Sequence, residues 1–360
     1  MKIQKSLRLF VVIGLVLAIV ATSFVAACPA PTTPTTTPPT TTPPTTAAPP
    51  TTTPTKPIQL DLVLFLPTSL PLMQSYLELF ADEVNKQSGG ELIINCVGGP
   101  EVIGGMDQAA AVQAGVIDMA EVPTAFYEGL VPVGNTLMLS QFTPAEERAR
   151  GAWDYLNEVH HQYGLHFLAR GEPSHGPVFW AVSTSPVEKL ADFKGLRAGA
   201  ISVYYMAFSE ALGMSFSLIT EWGEAYSAVE RGVIDVYSQT PETCADMGLE
   251  DAVSYAISHP FYRTNAVTII NLDTWNSIPK HLQDLMLDVF IQSFEKTEMD
   301  AWEIRDAASR QKFVDAGVKI VEFSPDEAET YLETAYRVER ERLEAQYPDT
   351  APQILELIMK

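Results

Sequence analysis

Basic residues are scarce in this chain: 23 lysines and arginines stand against 45 aspartates and glutamates in 360 residues, a formal net charge of −22. A surface of that sign repels nucleic acid and anionic lipid headgroups and argues against both as partners. Cysteine is scarcer still, with three in all. Cys28 closes the leader described below, and Cys96 and Cys244 are too few for a disulfide framework; they form either two buried thiols or a single bridge. Signatures of covalent and phosphate chemistry are missing too. There is no Gly-x-Ser-x-Gly elbow, and Gly99 to Gly104 has the opening spacing of a phosphate loop but continues with Gly105 where lysine is required. The six histidines include a local group, His160, His161, His166 and His175. Adjacent histidines on a helix point in different directions, and no Cys or Asp partner recurs at ligand spacing, so they read as surface or packing residues. No metal, cofactor or catalytic residue is expected. Glu146-Glu147 and Asp82-Glu83 read as solvated helix faces, not as acid/base pairs.

What is present begins with a leader. Lys2, Lys5 and Arg8 precede an apolar run from Leu9 to Val20, and Val25-Ala26-Ala27-Cys28 has the small residues and cysteine of a bacterial lipobox. The run is shorter than the roughly 20 residues of a membrane span. The expectation is a signal peptide over 1–27, removed on export, with Cys28 lipidated and tethering the protein to the outer face of a membrane, at the cell surface or on the periplasmic side. Residues 28–57 carry that cysteine and a tract of Thr, Pro and Ala without aromatics, a composition that cannot bury enough apolar surface to fold and serves as a spacer.

The remaining 58–360 is long enough for two packed lobes. A near duplication supports two: Ala111-Val112-Gln113-Ala114-Gly115-Val116-Ile117-Asp118 recurs as Ala228-Val229-Glu230-Arg231-Gly232-Val233-Ile234-Asp235. Each copy reads as a helix, a glycine stop, and a buried strand opened by Val-Ile. Ahead of the first copy, Leu60, Leu62, Leu64 and Leu66 alternate as a strand; ahead of the second, a helix around Tyr204, Phe208 and Leu212 ends at Gly213. Both lead-ins give a βαβαβ pattern and hence an α/β fold. Ligands of open parallel sheets bind beyond the carboxyl ends of the strands, so 119–125 and 236–241 should line a shared cleft. Near these positions lie aromatic and amide side chains: Phe126, Tyr127, Phe179, Trp180, Tyr204, Tyr205, Tyr237 and Gln239. Such a wall suits holding a small molecule without reacting it. Thr143-Pro144-Ala145-Glu146 has the layout of a capping box, and two long helical patterns fill 280–316 and 325–347.

Several fragments, in order, resemble the DctP-type solute receptors of TRAP transporters, tripartite uptake systems driven by ion gradients. They are Gly99-Pro100-Glu101 and Ala111 to Met119; Pro186-Val187 with Leu190 to Arg197; Ala211 to Met214; Glu224 to Asp235; and Asn271, Trp275 and Pro279. The resemblance implies a two-lobed, periplasmic-binding-protein-like (type II) fold with a long helix bracing both lobes, closing on an organic acid without catalysis and delivering it to a membrane permease. It implies discontinuous lobes, 58–177 with 264–305 and 178–263 with 306–360. It also places a carboxylate-clamping arginine where this chain has Gly199, and a second near Phe179 and Trp180. The cation is then relocated to Arg197 or Arg170, or the ligand differs. The ligand contacts expected from both lobes are Glu101, Tyr127, Trp180, Arg197, Tyr205, Tyr237 and Gln239. Two other classes fit the same body: a sensor or scaffold lipoprotein with a protein partner, and a two-lobed extracellular enzyme.

Overall fold

Alternating leucines place the first strand, β1 (Ile58–Leu64), with one face of a sheet against helices. The computed structural model describes residues 56–219 and 223–360, so the expected leader, Cys28 and nearly all of the Thr/Pro tract lie outside the described residues. Among those described, no helix is long and apolar enough to cross a membrane.

Among the described residues eleven strands form two mixed sheets. They are β1, β2 (Leu92–Gly98), β3 (Met119–Pro123), β4 (Leu165–Arg170), β5 (Phe179–Ser183), β6 (Arg197–Ala200), β7 (Ser215–Leu218), β8 (Val236–Gln239), β9 (Tyr255–Phe261), β10 (Ala266–Asn271) and β11 (Lys319–Val321). The first sheet runs β2-β1-β3-β10-β4 and the second β7-β6-β8-β5-β9-β11. In each, three parallel strands from a βαβαβ unit are extended by an antiparallel strand that enters from the other lobe, β10 in the first and β5 in the second. The chain is thus a two-lobed α/β protein whose lobes repeat one arrangement.

The sequence duplication is the repeated corner of that arrangement. Gly115 and Gly232 take φ of +68° and +64°, a conformation that suits glycine at a helix end. The next residue's N–H then turns back, from Val116 to the Ala111 carbonyl at 2.9 Å and from Val233 to the Ala228 carbonyl at 2.8 Å. Val116 and Val233 are exposed, and the strands open later, at Met119 and Val236. Val-Ile is therefore a turn and not a strand start. Both terminal aspartates cap a neighbouring strand: Asp118 accepts from the Asp61 N–H and Asp235 from the Arg197 N–H, each at 2.9 Å.

Two segments join the lobes, one between β4 and β5 and one between β9 and β10. They are tied together where the Val178 N–H donates to the Tyr262 carbonyl, the Gly171 N–H to the Ala266 carbonyl, and the Thr264 hydroxyl to the Glu172 carbonyl at 2.6 Å. Tyr262 is buried with φ of +44°, a strained value for a bulky residue, and its hydroxyl donates to the Ala335 carbonyl.

Continuous helix from Lys280 to Asp315 includes a wide turn at Phe290–Glu295 and reaches both lobes. Its Glu298 accepts from Ser75 in the first lobe, and its Arg305 pairs with Glu242 in the second. The helix Pro325–Gln346 also spans them, with Tyr331 among Phe208 and Phe261 and with Glu339 accepting from Asn135. The terminal helix Ala351–Ile358 packs on Ala152–Gln162 and Gly134–Leu139 of the first lobe, so the expected second lobe does not extend to residue 360. The capping box at Thr143 is present and opens the helix Pro144–Ala149, which Gly151, with φ of +80°, separates from a second helix, Ala152–Gln162. Cys96 and Cys244 are unpaired and sit in different lobes.

Candidate functional site

Carboxyl ends of the parallel strands in both sheets face one cavity, with about 50 Å³ open to the centre of a water-sized sphere. The first lobe contributes Phe65 and Leu66 after β1, and Pro123, Ala125 and Phe126 after β3. The second contributes Phe179 at the start of β5, Ile201, Ser202 and Tyr204 after β6, and Gln239, Thr240 and Thr243 after β8. Its floor is the joining segments, through Glu172, Thr264 and Asn265. Phe65 and Phe126 meet edge to face at 6.3 Å, and Phe179 and Tyr204 are tilted at 4.8 Å, so each lobe supplies one aromatic pair. The Tyr204 hydroxyl is held by the Ser238 carbonyl at 2.6 Å, and the Gln239 side-chain carbonyl accepts from the Thr240 N–H at 2.9 Å. Ser202 is buried with no protein partner for its hydroxyl.

Of the seven expected contacts, the cavity takes only Gln239. Trp180 is fully buried on the opposite face of β5, edge to face with Phe313 at 4.9 Å. Tyr237 shares that second core, and Tyr205 packs against Phe208 and Phe261. Tyr127 is held inside the first lobe by His160, its hydroxyl 3.1 Å from Nε2. Glu101 folds onto the Gly99 N–H at 2.8 Å and does not line the cavity. Arg197 makes a two-point ion pair with Asp235 at the amino end of β6, away from the carboxyl ends. For Trp180 the reason is alternation along β5, which is buried on both faces: the residue after Phe179 turns to the other side of the sheet, where Tyr237 also lies.

The residues missed are Glu172, Phe65, Ser202 and Thr264, with Phe126, Phe179 and Tyr204 noted only as nearby aromatics. Glu172 matters most for electrostatics. Burial, then the charges of Glu242 and Glu298, pushes its carboxyl up to about 8. Glu121, buried behind it on β3, has no protein partner for either oxygen, and burial and Glu172 raise it well above the ordinary carboxylate range. Gly171 makes room for it: a Cβ there would lie 2.1 Å from Glu121 Oε1.

The histidines divide between packing and surface, with His175 and His281 exposed. His160 is fully buried, with its protonation pushed down to about 4 by burial, and His166 stacks on Trp275 at 3.9 Å. Among the described residues no group of His, Cys, Asp and Glu has the geometry of a metal site.

A model of the family DctP, bacterial extracellular solute-binding protein family 7, matches residues 65–345, which includes every strand of both sheets except β1. The chain belongs to this family. Family 7 proteins bind solutes outside the cytoplasm and are not enzymes. A monocarboxylate 2-oxoacid-binding periplasmic protein from Nostoc sp. is 21% identical over 261 residues, 69% of this chain and 70% of its own. Among solved structures, a TRAP periplasmic solute-binding protein from Desulfovibrio salexigens with bound orotic acid matches with a TM-score of 0.72 and 19% identity, covering 83% of this chain and 97% of that one. A Bordetella pertussis extracytoplasmic solute receptor binding pyroglutamic acid matches at 0.71 and 15%, covering 83% and 99%.

In this family 7 member Gly199 stands where the resemblance places a clamping arginine. A Cβ on Gly199 would lie 2.7 Å from Ile234 Cδ1, so the space an arginine would need is filled by apolar side chains. Neither expected substitute supplies the cation. Arg197 is committed to Asp235, and Arg170, buried, is committed to Glu147 and to the Thr264 and Leu137 carbonyls.

Proposed function

We propose that this chain is an extracytoplasmic receptor that captures a small organic solute between its lobes and delivers it to a TRAP-type membrane permease. The observation that carries the reading is the cavity itself, lined by both lobes and floored by the two joining segments. A ligand touching both walls favours the closed arrangement only when it is present, which is what a delivery cycle requires. The lobes that would close are 58–177 with 264–305 and 178–263 with 306–350. Organic acids are the ligands named for the relatives, and they support a small, polar, carbon-based solute. In the same reading Cys28 carries lipid, and the Thr/Pro tract lets the body reach a permease in the same membrane.

Thermal melting of the full-length protein against organic acids, amines, sugars and amino acids tests the capture step, with native mass spectrometry for a retained ligand. A solute-dependent rise in melting temperature and a more compact scattering profile are expected. A protein that responds to none of them, and instead retains a protein partner, is a sensor or scaffold. Radiolabelled fatty acid should enter the chain at Cys28 and be lost in Cys28→Ser.

A further inference from the structure

The cavity offers hydrogen-bond donors but no cation. Among the described residues no lysine, arginine or histidine lines it. Arg263, in the joining segment, is spent on the backbone carbonyls of Ser140, Ser174 and His175. The donors are hydroxyls and one carboxyl. The Ser202 hydroxyl in the lining is buried without a protein partner. Thr243, also in the lining, accepts from the Thr240 hydroxyl at 3.0 Å, which leaves its own proton free. The carboxyl is that of Glu172 in the floor. Acids crowd it from three elements: Glu121 on β3, Glu242 on the helix Pro241–Asp246, and Glu298 on the long helix. Among the described residues Arg305 is the one cation facing that group, and its guanidinium is already shared between Glu242 and Glu298. Four carboxyl groups around one committed guanidinium cannot all ionise in a buried place. Glu172 therefore keeps its proton through neutral pH, titrating near 8. A carboxyl held neutral is a donor, and an O–H bonded to a carboxylate is among the short, strong hydrogen bonds.

We propose that Glu172 does the work of a clamping arginine: its neutral carboxyl donates an O–H hydrogen bond that seats the carboxylate of a singly charged organic acid. Ser202 and Thr243 are the further donors, and the acid's carbon frame lies between the Phe65–Phe126 and Phe179–Tyr204 pairs. This rests on the receptor reading above and deepens it. A site built from neutral donors answers one negative charge better than two, so a monocarboxylate is preferred to a dicarboxylate. Ionised Glu172 would repel the same ligand. For a group that titrates near 8, the protonated fraction falls from nearly all at pH 6 to about one-tenth at pH 9, and apparent affinity falls with it, about tenfold.

The experiment is calorimetric titration of the full-length protein at pH 6, 7.5 and 9. Benzoate, phenylacetate and pyruvate are the singly charged probes, and malonate is the doubly charged one. The expected result is binding of a monocarboxylate at least tenfold tighter than malonate at pH 7.5, weakening about tenfold from pH 6 to pH 9. Glu172→Gln keeps a donor that cannot ionise, so its affinity should stay level across this range and exceed that of the wild type at pH 9. Glu172→Leu has no donor and should bind at least tenfold more weakly at pH 6. The wild-type pH series carries the test if either variant does not fold. Monocarboxylate affinity that is level or rises with pH, or malonate binding as tightly, overturns the role of Glu172 and leaves the receptor reading standing. The same holds if no acid binds while a sugar, amine or amino acid does. A protein that binds no solute of any of these classes removes the receptor reading and this inference together.

Discussion

Phe179 and Trp180 are neighbours on β5 with opposite assignments, and replacing each in turn separates cavity from core. Trp180 is fully buried, packs edge to face on Phe313, and has the Arg310 guanidinium 4.9 Å from its ring centre. Truncating a buried tryptophan to alanine removes its transfer free energy and leaves a void, together about 3 to 5 kcal/mol. For a protein of this size that lowers the melting temperature by on the order of 10 °C. Trp180→Ala should therefore melt early yet bind ligand with unchanged affinity while folded, since nothing of the ring reaches the cavity. Phe179→Leu should do the reverse. Leucine keeps most of the apolar volume, so stability falls by only about 1 kcal/mol. The lost ring face should weaken binding by about tenfold, equivalent to about 1.4 kcal/mol. Thermal melts and calorimetry on both variants, with the best ligand from the screen, decide the matter. If Trp180→Ala stays stable and loses affinity, the parity assigned to β5 is wrong, and with it the placement of the site.

Arg197→Ala should leave ligand affinity unchanged, because its guanidinium serves Asp235 at the far end of the strand; weakened binding in calorimetry would contradict this. Gly199→Arg should not restore an acid-binding clamp: the clash with Ile234 should lower the melting temperature, and malonate affinity should not increase. A raised carboxyl means the folded state holds its proton more tightly than the unfolded chain, so Glu172, ionising near 8, makes stability fall as pH rises toward that value. The buried His160 and His166, pushed down to about 4 and about 3, have the opposite sign, but their contribution is complete by about pH 6.5. Urea midpoints of the ligand-free protein should accordingly drop between pH 6.5 and 8.5, and drop less in Glu172→Gln; a rising midpoint refutes the assignment. Cys244 is buried, its thiol pushed up to about 12, so it should resist an aromatic disulfide reagent until urea is added, and reducing agent should not change the melt.

Local requirements were legible from sequence. A helix must stop somewhere, and Gly115 and Gly232 declare the stop because only glycine takes the left-handed turn at little cost. Thr143 and Glu146 declare a helix start through bonds made within four residues. The two-lobed plan followed from the duplication, since repeated βαβαβ lead-ins imply repeated sheets. Side-chain direction on the strands was not legible in the same way. Alternation reveals a face only when one face is polar, and β5 and β8 are buried on both sides. Trp180 and Tyr237 were thus indistinguishable from Phe179 as cavity residues, and the adjacent Tyr204 and Tyr205, on the single turn Val203–Tyr205, carry no periodicity that separates them. Glu172 gave no signal because its place depends on Thr264, 92 residues away, and on carboxylates from three other elements.

By itself the sequence determined the class of the molecule, two α/β lobes by repetition, and it has glycine at position 199, where the family resemblance places an arginine. These rest on near-neighbour chemistry or on the mere identity of a residue. Tertiary structure alone decided which side chains meet. It turned Arg197 and Arg170 into internal partners of Asp235 and Glu147, put four aromatic rings around one cavity, and set Glu172 in its floor. Those outcomes depend on contacts between separate elements, 38 and 23 residues apart for the two ion pairs, where burial and the sum of nearby charges, not local pattern, set what a side chain does.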